Sequence, residues 1–197
     1  MGATSVSWAP SIVPGSLTRP AAPVPGGLSG PEKQKKFVTG GCDSKVKVWG
    51  WRSVQSSLLT SLLLHPCLQL TSPRFVFVSD LTREQEREWA VEDTLDKHTD
   101  WVRDVAWAPN IGLPTSYIAS CSQDRTVLIH TRASPSAAWQ TTSLLPDGET
   151  FPEVVWRVSW SLAGNVLAVS GGDGKVSLWK EKGGAGGGWE CVSEMSS

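Results

Sequence analysis

The chain repeats itself. Three ten-residue stretches, GGCDSKVKVW (40–49), CSQDRTVLIH (121–130) and SGGDGKVSLW (170–179), each place an Asp six positions ahead of a ring. A second unit precedes each of them: SVSWAP (5–10), DVAWAP (104–109) and RVSWSL (157–162). Self-similarity at roughly 40–50 residues marks an architecture in which one unit cannot bury its apolar face alone and its neighbours complete it. Two short alternating runs flank an Asp-containing turn in each unit, the pattern of antiparallel strands. The fold class expected is all-β.

That grammar, strand pairs carried on a recurring Asp and Trp, is the grammar of a WD-repeat β-propeller blade, and about three blades are present. Repetition also explains the eleven Trp against one Tyr. Trp8, Trp107 and Trp160 share one repeat position, Trp49 and Trp179 a second, and Trp89, Trp139 and Trp189 a third. Trp51, Trp101 and Trp156 fall outside these sets, and blade packing is expected to take most of the rings. A formal net charge of −1 gives no electrostatic reason to expect nucleic acid or an anionic membrane surface. Cys42, Cys67, Cys121 and Cys191 form no CxxC pair, and His65, His98 and His130 are dispersed. No metal or cofactor is expected, and the absence of an apolar leader in MGATSVSWAP points to a reducing compartment.

The repeat also serves as a ruler. Asp124 and Asp173 lie 49 residues apart, whereas Asp43 and Asp124 lie 81 apart. Trp139 follows His130 by 9 positions and Trp189 follows Trp179 by 10, but Trp89 follows Trp49 by 40. The chain accordingly divides into a partial first blade over 1–49, with a Pro/Gly-rich loop over 11–36, and an atypical insertion over 50–85. Residues 86–197 hold the remaining strand of the first blade and two further blades. The insertion carries no charge from Ser53 to Pro73, and its Leu58–Leu70 run is broken by His65 and Pro66. It falls short of the roughly 20 apolar residues that span a bilayer. Two readings stand: an apolar insertion that meets a partner or a membrane, or sequence foreign to the fold, disordered or not native, such as a retained intron. The repeat resumes in register on both sides, which favours the second. Phe75–Val78 would then be a β-prone aggregation liability. Lys33, Lys35 and Lys36 read as a solvated loop tip, and the glycine run 183–188 as a hairpin tip before a last strand, Trp189–Val192.

Many WD-repeat blades bury a hydrogen-bond chain from a loop His to a turn Asp and a strand Ser or Thr, closed by a Trp indole. A closed network spares each buried polar group the roughly 1–3 kcal/mol of being left unpaired. The middle blade supplies His98, Ser120 and Asp124, with His130 in the Trp position. The first supplies Thr39, Asp43 and Trp49, and the last Asp173 and Trp179, with Val169 at the hydroxyl position and Phe151 at the His position. On this reading no blade completes the chain. His98, Ser120 and Asp124 also suit a hydrolase triad, but their order is that of the structural network and no GxSxG elbow is present. Glu84, Glu86, Glu88, Glu92 and Asp93 read as a solvated strand and loop. No catalytic, cofactor-binding or metal-ligating residue is assigned.

The strings SVSWAPSIVPGSL, FVTGGCD, DWVRDVAWAPNIGLPTSYIASCSQD and VVWRVSWSLAGNVLAVSGGDGKVSLWKE resemble the C-terminal half of the SEC-thirteen family, over roughly 5–49 and 86–192. The SEH-one-like propellers share the plan, but these strings resemble SEC-thirteen more. The resemblance implies the fourth to sixth blades of an open six-bladed propeller that accepts a further blade from a partner. It implies a structural scaffold of the COPII coat in ER-to-Golgi transport, partnered by a SEC-thirty-one-type subunit. It also implies a nucleoporin partner in the nuclear pore outer ring and GATOR subunits in nutrient signalling. Localisation would follow: the cytoplasmic side of the ER membrane, COPII vesicles, the nuclear pore and, peripherally, the lysosomal membrane. No direct nucleic-acid contact is expected, and membrane association only through the coat. The alternative is a generic WD-repeat adaptor, such as a ubiquitin-ligase substrate receptor. With about three blades the copy looks truncated, and two raw faces predict low stability.

Overall fold

The computed structural model describes residues 2–12, 14–17, 35–53, 87–110, 112–146, 148–183 and 188–196. Lys33 and most of the Pro-rich loop, residues 54–85 of the expected 50–85 insertion with Phe75–Val78 and Glu84, Glu86, and residues 184–187 lie outside the described residues. Two compact units are distinguished, Met1–Gly50 with Val91–Ser197, and Trp51–Ala90. Within the second, the Trp51 and Trp89 rings stand 5.1 Å apart.

Among the described residues every regular element is a strand: β1 (Ala3–Trp8), β2 (Lys36–Gly41), β3 (Val46–Ser53), β4 (Arg87–Leu95), β5 (Val102–Trp107), β6 (Ser116–Ser122), β7 (Val127–Arg132), β8 (Gln140–Ser143), β9 (Val155–Trp160), β10 (Val166–Gly171), β11 (Lys175–Glu181) and β12 (Trp189–Ser196). They form three four-stranded sheets, β1-β2-β3-β4, β5-β6-β7-β8 and β9-β10-β11-β12. Consecutive strands pair antiparallel, as Val38↔Val48, Ala119↔Ile129 and Ala168↔Leu178 show at equivalent positions. This is the all-β, bladed architecture that the repeats predict.

The recurring Asp is a turn residue. The carboxylates of Asp43, Asp124 and Asp173 accept the N–H of the residue two further on, Lys45 (3.3 Å), Thr126 (2.9 Å) and Lys175 (3.1 Å). The residue between takes positive φ, 60° at Ser44, 65° at Arg125 and 75° at Gly174. Only the last of the three suits that conformation without steric cost.

Alternation along each strand gives every sheet two faces. The face with Val38, Val46 and Val48 packs on Val102, Val105, Trp107 and Ile118 of the middle sheet. The other face of the middle sheet, with Ala119, Val127 and Ile129, packs on Val158, Leu167, Val169 and Trp179 of the third. An aliphatic face thus meets the Trp-bearing face of the following sheet at both junctions.

Three expectations need correction. The last strand runs to Ser196, beyond Val192, because β12 pairs with the whole of β11. Lys36 is no solvated loop residue; it opens β2 and its ammonium sits 2.5 Å from a Glu92 carboxylate oxygen. Glu92 is therefore paired, and Asp93 is engaged as well, accepting from the Trp139 indole N–H at 3.2 Å.

Candidate functional site

His98 lies on the loop between β4 and β5, Ser120 on β6, Asp124 in the β6–β7 turn and His130 on β7. Strand pairing sets Ile118 against His130, and His130 against Thr141 of β8. The side chains form one unbroken series. His98 Nδ1 stands 3.1 Å from Asp124 Oδ2, and His98 Nε2 is 2.8 Å from Ser120 Oγ. Ser120 Oγ is 2.9 Å from His130 Nε2, and His130 Nδ1 is 2.9 Å from Thr141 Oγ1.

Charge decides which way the donors point. Burial would raise the Asp124 pKa, but hydrogen bonds from His98, Thr126 and the Thr99 N–H prevail and hold it below the ordinary carboxylate range. Burial, reinforced by His98, drives the His130 imidazole down to about 3, so it is neutral at pH 7. With Asp124 an obligate acceptor, His98 Nδ1–H donates to it, and Ser120, His130 and Thr141 continue the hydrogen-bonded series from His98 Nε2. An imidazole therefore closes the chain where the repeat elsewhere carries Trp, and adds Thr141 through its second nitrogen. Thr126, which bonds both Asp124 (2.6 Å) and His98 (3.1 Å), joins the same cluster.

The flanking sheets end differently. In the first, Trp49 Nε1 donates to Thr39 Oγ1 at 3.0 Å, while Asp43 pairs with Lys47 at 2.6 Å. Lys47 holds the Asp43 carboxyl below its usual pKa against the opposing effect of burial. In the third, Trp179 Nε1 finds Ser177 of its own strand at 2.8 Å in place of a β10 hydroxyl, and Phe151 stands edge-on to Trp179 at 6.1 Å. Where the middle sheet seats His98, the others have grooves. One, of about 250 Å³, is lined by Phe37, Thr39, Asp43, Lys47 and Trp49. The other, of about 350 Å³, is lined by Phe151, Val169, Asp173, Ser177 and Trp179.

Two faces of the flanking sheets differ in burial from their counterparts in the middle sheet. Trp8, Phe37 and Trp49 share one through strand pairing, and Trp8 is 64% exposed against 8% for its repeat counterpart Trp107. On the third sheet Ala168, Val176, Leu178 and Met195 share the other, none of them fully buried. Trp8 stands edge-on to Phe37 at 5.5 Å, whereas Trp101 and Trp156, outside the repeat sets, are exposed.

Sequence reasoning also missed Asp104, which binds all three sheets. Its Oδ1 accepts Ser5 Oγ of β1 at 2.6 Å and its Oδ2 accepts the Val158 N–H of β9 at 3.2 Å. The signal was available: Ser5, Asp104 and Arg157 are the first residues of the three WA/SW units, and only this position varies in charge class. Among the described residues no group of three or more His, Cys, Asp or Glu could hold a metal ion, and no helix is long and apolar enough to cross a membrane.

Comparison with known proteins agrees with this geometry. The family described as WD domain, G-beta repeat matches residues 89–131 and 142–180. A protein transport protein SEC13 of Cryptococcus neoformans is 48% identical over 201 residues, covering 100% of this chain and 50% of its own length. A protein of the same name from Mycosarcoma maydis is 45% identical, over 100% of this chain and 49% of its own length. The human protein SEC13 homolog is 41% identical, over 100% and 48%. The chain spans about half the length of the curated relatives it matches.

Proposed function

We propose a scaffolding role in protein transport for this chain, which belongs to the WD-repeat proteins and matches SEC13 proteins along its whole length. The observation that carries the reading is the aliphatic face of the third sheet (Ala168, Val176, Leu178), none of it fully buried. Its counterparts in the first and middle sheets are the aliphatic halves of the two junctions inside the chain, and an apolar face of this kind marks an interaction surface. A protein blade presenting a Trp-type face would complete the third sheet as the third completes the second. Pairing at a sheet edge and packing of the face would then act together.

The role is non-catalytic. Ser120 has 0% exposure and its hydroxyl lies between two imidazoles, so no substrate carbonyl can approach it. In its finer form the proposal is a subunit of the COPII coat that accepts a blade from a SEC-thirty-one-type protein at the ER membrane. The same surface would serve a nucleoporin in the nuclear pore outer ring and GATOR subunits at the lysosome. Co-purification of the full chain with a blade-bearing segment of a SEC-thirty-one-type subunit tests it. Stable capture, lost when Leu178 is changed to Asp, is expected. Failure to capture that segment and the nucleoporin alike, with the chain folded, would contradict the proposal.

A further inference from the structure

Two Trp residues that the repeat does not account for, Trp101 and Trp156, are 46% and 47% exposed and hold Arg103 between them. The guanidinium carbon lies 5.3 Å from the Trp101 ring centroid and 4.9 Å from that of Trp156. The arrangement follows from the repeat. Arg103 on β5 and Trp156 on β9 each stand one residue before the unit that begins at Asp104 or Arg157, so adjacent sheets place them side by side. Gly172 leaves space for the second ring, since a Cβ there would stand 3.2 Å from Trp156 Nε1.

A second Arg in this chain shows what the first lacks. Arg132 lies 4.5 Å over Trp139, and the Asp93 carboxylate serves both, 3.9 Å from Arg132 Nη1 and 3.2 Å from the Trp139 indole nitrogen. Around Arg103 there are two rings and, among the described residues, no carboxylate at ion-pair distance. Its Nη2 donates to the neutral Gln123 Oε1, its Nε is buried without a partner as that of Arg132 is, and among the described residues, unlike Arg132, it makes no ion pair. The nearby Asp100 spends an oxygen on the Trp101 N–H at 2.7 Å. A guanidinium whose flat faces are covered offers only its edge, and the edge is the part that pairs with a carboxylate.

We propose that the Trp101–Arg103–Trp156 stack docks an acidic peptide segment, whose carboxylate pairs with Arg103 while its apolar neighbours lie against the two indole rings. The partner supplies here what Asp93 supplies to Arg132. The site stands on loop and inner-strand residues of the second and third sheets and does not depend on the scaffolding proposal.

Fluorescence anisotropy of the full chain with a fluorescein-labelled peptide of alternating Glu and Leu tests this, beside the same peptide with Gln for Glu and a labelled oligothymidylate. Saturable binding of the Glu peptide is expected, weakening as salt rises. Arg103→Gln is expected to weaken it at least about tenfold and Trp156→Ala several-fold, with unfolding midpoints little changed. Should Arg103→Gln fail to fold, Arg103→Lys, which keeps the charge and loses the planar fork, is expected to weaken binding several-fold. Absence of binding, equal binding of the Gln peptide, tighter binding of the oligothymidylate, or wild-type affinity in the folded Arg103 variant would overturn the proposal.

Discussion

Val48, Ile129 and Leu178 occupy one repeat position in three successive sheets, as do Val38, Ala119 and Ala168. In the first and middle sheets these residues are fully buried, because a following sheet covers them. In the third they are half-exposed. The reverse holds on the Trp-bearing faces, where Trp107 is buried and Trp8 is not. The middle sheet has a described sheet packed on each face, and among the described residues the polar network runs unbroken, from Thr141 to Asp124, in that sheet alone. At the apolar positions the difference is one of neighbours, while in the third sheet the network is broken by sequence, Val169 and Phe151 standing where the middle sheet has Ser120 and His98. A repeat residue acquires its energetic weight from the sheet beside it.

The largest expected effect breaks this comparison at equivalent positions. Ile129→Ala should cost about 2–5 kcal/mol in urea unfolding, as a fully buried aliphatic truncation does, while Leu178→Ala should cost about 1 kcal/mol. Equal losses would mean that the flanking sheet is as well packed as the middle one.

Next comes the network. Ser120→Ala leaves nitrogens of His98 and His130 facing one another without the hydroxyl between them, and should cost about 2–3 kcal/mol. Thr39→Ala leaves Trp49 Nε1 beside an open groove that water can enter, and should cost under about 1 kcal/mol.

Acid should act on the middle sheet too. The folded pKa of His130, about 3, is depressed below its ordinary 6.5, so the unfolded chain takes up the proton first. The contribution is whole above about pH 6.5 and is lost as pH falls towards 3. It amounts to about 2 kcal/mol between pH 7 and pH 5. Urea midpoints across that window measure the slope, and His130→Trp should flatten it.

The smallest effect belongs to the turns. Arg125→Gly should stabilise by about 0.5–1 kcal/mol by relieving positive φ, and Gly174→Ala should destabilise by a similar amount. Thermal melts of the two variants should move in opposite directions.

The all-β architecture was legible because Asp and Trp recur at fixed offsets, and each offset is a turn or a strand pair. The middle network residues were legible for the same reason, their order being that of the repeat. Ser177 was not, since it satisfies Trp179 from the same strand, two residues away, where the repeat expects the neighbouring strand. Thr141 was hidden because His130 was read as a lost Trp, when its second nitrogen makes a bond that an indole cannot. Asp104 and the Trp101–Arg103–Trp156 stack lie between sheets, and a reading made one repeat at a time cannot see contacts that only adjacency creates.

Amide hydrogen exchange of the full chain, alone and with a blade-bearing segment of a SEC-thirty-one-type subunit, tests most directly the claim that the third sheet is unfinished until a partner covers it. Alone, β6 and β7 should be the most protected strands and β1, β11 and β12 the least. With the segment bound, protection should rise in β10, β11 and β12 and stay unchanged in β6 and β7. Uniform protection of all three sheets in the free chain, or no gain in the third sheet with the segment bound, would contradict it.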